Sequence, residues 1–82
     1  MKNSQSTGRA ISDGVITAKA RAALAADPIT ATYEISVTTL SGVVELSGFV
    51  ETTIVRTEAL QLVRTISGVL QVEDAMDLRT FE

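Results

Sequence analysis

The sequence predicts an α+β fold in the order helix, strand, strand, helix, strand (αββαβ), with two helices packed on one face of a three-stranded sheet. Three observations predict it. Two segments repeat their apolar residues at helical spacing, three alternate apolar and polar residues as half-buried strands do, and glycines punctuate the joins. Each helix then has one apolar stripe and each strand one apolar face, and layering helices on a sheet buries them all.

A chain of 82 residues makes one domain and must commit nearly every apolar residue to one core. Hydrophobic residues are 45% of the chain, yet Tyr33, Phe49 and Phe81 are the only aromatics. The core is therefore expected to be aliphatic.

Residues 1–11 are polar without apolar period and read as a flexible tail. The domain is expected over 12–79, with a short C-terminal tail at 80–82. Ser12 reads as a helix N-cap, with Asp13 in the first turn where a carboxylate favours the helix dipole. Ile16, Ala20, Ala23 and Leu24 form the stripe of helix 1, and Asp27-Pro28 stops it, because proline disfavours helical geometry in the residue before it. Glu34 to Thr39 alternates as strand 1 around Ile35 and Val37, and Leu40-Ser41-Gly42 is a turn in which Gly42 takes positive φ. In strand 2, Val44, Leu46 and Val50 share a face with Gly48, where a helix is expected to cross close to the backbone. Helix 2 starts near Thr52 or Thr53 and buries Val55, Ala59, Leu62, Val63 and Ile66. Gly68 is expected at the left-handed position that closes it. Strand 3, Val69 to Leu78, turns Val72, Met76 and Leu78 inward and runs parallel to strand 2. Its neighbour in the sheet does not follow from the pattern.

Composition narrows function. There is no His and no Cys, which removes disulfides, thiolate nucleophiles, most zinc sites and the usual base at neutral pH. A net charge of −3 gives no electrostatic footprint for nucleic acid. No apolar run approaches the ~20 residues of a membrane-spanning helix. Asp13, Asp27, Asp74 and Asp77 match no calcium-loop spacing, so caps and solvated surface are the expectation for them. No Ser or Thr has a recognisable activating base. The chain reads as a non-enzyme with no cofactor and no metal.

The run Ile16-Thr-Ala-Lys-Ala-Arg-Ala-Ala-Leu24, then Asp27-Pro28, Ile35-x-Val37, Gly42-Val-Val-Glu-Leu46-Ser47-Gly48-x-Val50 and Gly68-Val69-x-x-Val72, resembles a BON domain across Ser12 to Leu78. The resemblance implies a bacterial envelope protein, often periplasmic and linked to osmotic stress, that binds phospholipid or supports the membrane. The polar stretch Met1 to Ala10 is not a signal peptide, which leaves a cytoplasmic chain or a processed periplasmic one. Ala20 stands where the family commonly has a larger aliphatic, which would thin the core under helix 1. Leu60 stands where a charged residue is usual, which would put an apolar group near the surface.

The glycines Gly42, Gly48 and Gly68 are read as structural. Arg56, Leu60 and Arg64 share a face of helix 2, an apolar residue between two cations, and with Lys19 on helix 1 they are the candidate contacts for a phospholipid surface or another envelope protein. Solvated helix faces are the bland reading of the same residues. Arg21 and the apolar Ile54 raise the same question. The alternative function is association with a protein partner or with itself, through an open sheet face or edge, giving a monomer or a weak homo-oligomer.

Overall fold

A computed structural model describes residues 12–79. The tails expected at 1–11 and 80–82 lie outside the described residues. The elements are α1 (Asp13–Ala26), β1 (Ser36–Leu40), β2 (Val43–Val50), α2 (Thr53–Arg64) and β3 (Gln71–Leu78), in the expected order.

Ser12 caps α1, its hydroxyl accepting from the Val15 amide at 3.2 Å. Ile16, Ala20 and Leu24, one residue per turn, are buried against the sheet. Asp27 ends the helix in extended geometry before Pro28, and its carboxylate accepts from the Ile29 amide. Buried Thr30 donates its hydroxyl to the Leu24 carbonyl at 2.7 Å, satisfying one of the free carbonyls at the helix end. Thr52 caps α2 in the same manner, with Val55, Ala59 and Val63 buried. Fully buried Ala20 and Ala59 keep both helices slim, and the two helices touch as well as covering the sheet.

The sheet order is β1-β2-β3. β1 pairs antiparallel with β2, and β3 pairs parallel with β2, which settles the neighbour left open by the pattern. Strand alternation sends Val37, Val44, Leu46, Val50 and Met76 into the core under the helices. The opposite face carries Thr38, Glu45 and Glu73 in one row and Phe49 beside Asp77 in another. No described element covers it.

Four expectations need correction. What crowds Gly48 is not a helix: a Cβ there would lie 2.6 Å from the Glu34 carbonyl oxygen, on the chain entering β1. Gly48 takes φ +125° because the neighbouring strand leaves the ladder just before Ser36 and its backbone crosses that point. Gly68 does have positive φ (+94°), but it does not close α2. The helix ends at Arg64 with Thr65 as C-cap, and the last turn tightens through Ile66 N–H to Val63 O; Gly68 shapes the turn into β3 instead. Leu60 is half-buried and packs against the core rather than standing on the surface. Leu78, expected inward, is 39% exposed: it ends the edge strand β3, whereas its ladder partner Val50 on the central strand is fully buried.

Candidate functional site

The β1–β2 turn builds one end of the molecule. Ser41 (φ +51°) and Gly42 (φ +82°) both have the left-handed φ of a type I′ hairpin turn. Asp13 of α1 reaches this turn, its carboxylate accepting from the Ser41 amide at 2.7 Å and the Gly42 amide at 3.1 Å. The carboxylate thus does more than face a helix dipole. It satisfies two turn amides that no strand can pair and fixes the start of α1 beside the hairpin.

The loop from α2 to β3 lies against the same turn. Leu70 N–H donates to Gly42 O at 2.8 Å, and the Leu70 side chain covers Gly42. Arg64 and Leu70 line a shallow, open hollow of about 410 Å³ with Val69, Gln71 and Val72. Leu40 and Leu70 are 74% and 79% exposed.

The helix 2 face expected from sequence comes apart. Arg56 is not a free cation: its Nε lies 3.4 Å from Asp74 on β3, with both side chains about one-third exposed. Asp74 also accepts from the Met76 amide, so this carboxylate, an interruption in the strand pattern, is engaged twice. Leu60 is turned to the core. Arg64 is exposed at the end of α2 and has no ion-pair partner among the described residues. Lys19 and Arg21 are exposed on α1, and Ile54 is 67% exposed at the start of α2.

The opposite end holds more ionisable groups. The Tyr33 hydroxyl donates to Glu51 at 3.4 Å, and partial desolvation, then the Glu51 charge, push the phenol up from its ordinary range. Arg79 lies over the Phe49 ring at 4.1 Å, a cation–π contact. These residues line an open hollow of about 370 Å³. Asp27 and Glu58 share a hydrogen bond that holds Asp27 below the ordinary carboxylate range and Glu58 above it. Among the described residues no group of three or more His, Cys, Asp or Glu could hold a metal ion. No described helix is long and apolar enough to cross a membrane.

The sequence pattern puts Arg64 among the candidates; it does not single out Leu40, Leu70 or the contact of Asp13 with the turn. The leucines flank the two turn glycines in the runs Leu40-Ser41-Gly42 and Gly68-Val69-Leu70, a pattern that by itself says only turn and strand.

The pattern of the family described as BON domain matches residues 12–80. Osmotically-inducible protein Y of Escherichia coli (strain K12) is 39% identical over 72 residues, covering 88% of this chain and 36% of that protein. The chain therefore spans about a third of that relative's length.

Proposed function

The chain belongs to the BON domain family, and from that premise we propose that it is a noncatalytic binding module of the bacterial cell envelope that attaches to phospholipid surfaces. The relative's name points to osmotic stress, and a periplasmic location follows from this reading. The observation that carries it is Arg64, exposed beside an open hollow too shallow to enclose a substrate and without a carboxylate partner among the described residues. A guanidinium so placed suits the phosphates of lipid headgroups. Paired Arg56 contributes less.

Flotation of the chain with vesicles of phosphatidylglycerol and phosphatidylethanolamine tests the proposal. The chain is expected to float, with Arg64→Glu reducing the bound fraction more than Arg56→Ala does. A chain that stays with the soluble fraction overturns the reading. A second reading, docking of a basic protein partner, is favoured by the bare outer sheet face with Glu45, Glu73 and Asp77. The same carboxylates oppose pairing of two such faces, so sedimentation should show a monomer.

A further inference from the structure

We infer that the end carrying Leu40, Leu70 and Arg64 is the part that enters an anionic bilayer, with both leucines among the acyl chains and Arg64 at the phosphates. The inference rests on the membrane reading above and assigns it a surface. Leu40 and Leu70 are the most exposed large hydrophobic residues among those described. A single exposed leucine needs no explanation. Here one ends β1 and the other lies in the loop from α2 to β3, and both lie beside one glycine turn. Their backbones are held, Leu40 by its ladder partner Val43 and Leu70 by its bond to Gly42. The apolar tip is therefore pre-set rather than a floppy loop. Neither leucine serves the core, which begins one row deeper at Val44.

Charge selects the occupant. Among the described residues the carboxylate at this end, Asp13, is occupied by two turn amides. Arg64 is, among the described residues, the cation beside Leu70. The nearest carboxylates on the sheet, Glu45 and Glu73, pair side by side on the outer face two residues further along their strands. They oppose lying flat on an anionic surface, so the domain stands on its tip. Area argues against a protein partner: two or three aliphatic side chains fall far short of the roughly 800 Å² per partner that a stable interface covers. A bilayer asks for no complementary shape, only apolar area and a cation. The attachment is weak and reversible, since two side chains bury less than one acyl anchor.

The test is vesicle flotation of the full chain, comparing wild type with Leu40→Ser/Leu70→Ser and with Ile29→Ser/Ile54→Ser, which removes apolar surface at the other end. Circular dichroism melts confirm that each variant folds. The tip variant is expected to lose binding by about tenfold or more, and the other variant to keep it. Equal binding by the tip variant and wild type, or loss confined to the Ile29/Ile54 variant, overturns the inference while leaving the membrane reading intact. Failure of wild type to float removes both. A wild-type dimer that the tip substitutions dissociate identifies the tip as a self-association surface and also overturns the inference.

Discussion

The two ends of the sheet both expose aliphatic side chains, yet their surroundings differ. Leu40, Leu70 and, in the first turn of α1, Val15 stand out at the hairpin end; Ile29, Ile54 and Leu78 stand out at the other, near Phe49. Among the described residues at the hairpin end, the carboxylate is Asp13, already engaged, and the cation is Arg64. At the other end Glu34 and Glu51 line the hollow, Asp27 pairs with Glu58, and Asp77 neighbours Phe49, whose ring is covered by Arg79. Exposed apolar area alone would rank the ends as equals. Under the membrane proposal carboxylates decide between them, because an anionic lipid surface would repel one end more than the other.

The largest effect that sharpens this comparison concerns the glycine near each end. Gly48→Ala is expected to cost about 3 kcal/mol or more, because φ +125° is strained for alanine and the obstacle at 2.6 Å is backbone. Gly42→Ala should cost less, about 1–2 kcal/mol, since φ +82° lies near the left-handed well and most of what its Cβ meets is the movable Leu70 side chain. Urea midpoints compare them, and equal losses would break the distinction. Next, Asp13→Ala leaves two turn amides without their acceptor and should lower stability by about 1–2 kcal/mol in the same titration. Arg56→Ala and Asp74→Ala, together with their double mutant, should give a coupling of only about 0.5 kcal/mol, because the pair is partly exposed and screened by solvent.

The smallest effect is a pH dependence at the acidic end. The folded Glu58 holds its proton more tightly than the unfolded chain does, so its stabilising contribution is present in acid and lost as pH rises through its raised pKa. Asp27 has the opposite sign: its contribution is present above its ordinary value and lost as pH falls through its lowered one. The shared proton therefore serves best between the two, in mild acid. Glu58→Gln keeps a donor toward Asp27 at every pH. Its melting temperature is expected to exceed that of wild type at neutral pH and to converge with it in mild acid. A constant difference across that range would show that the pair does not titrate as a unit.

The elements were legible because each carries its own periodicity and punctuation. Ser12 and Asp27-Pro28 bracket α1 in the sequence as they do in the fold, and the stripe Val55, Ala59, Val63 marks the buried side of α2. Contacts between elements were not legible. Asp74 interrupts an inward strand pattern, but nothing in the chain says that Arg56, eighteen residues earlier in sequence, lies opposite it. Gly48 announced a close approach without naming what approaches. The pairing of Arg56 and the partial burial of Leu60 were hidden for a related reason: spacing places Arg56, Leu60 and Arg64 on one side of a helix but does not say where the sheet below ends. β3 begins only at Gln71, so Leu70 escapes the strand that its alternation suggested.

Because the Asp13 carboxylate accepts from the Ser41 and Gly42 amides, fraying of the first turn of α1 is expected to loosen the tip of the hairpin as well. Hydrogen exchange at those two amides is then a clock for fraying of a helix 28 and 29 positions earlier in the chain. The turn keeps its time from outside itself, and anything that steadies the helix start slows it.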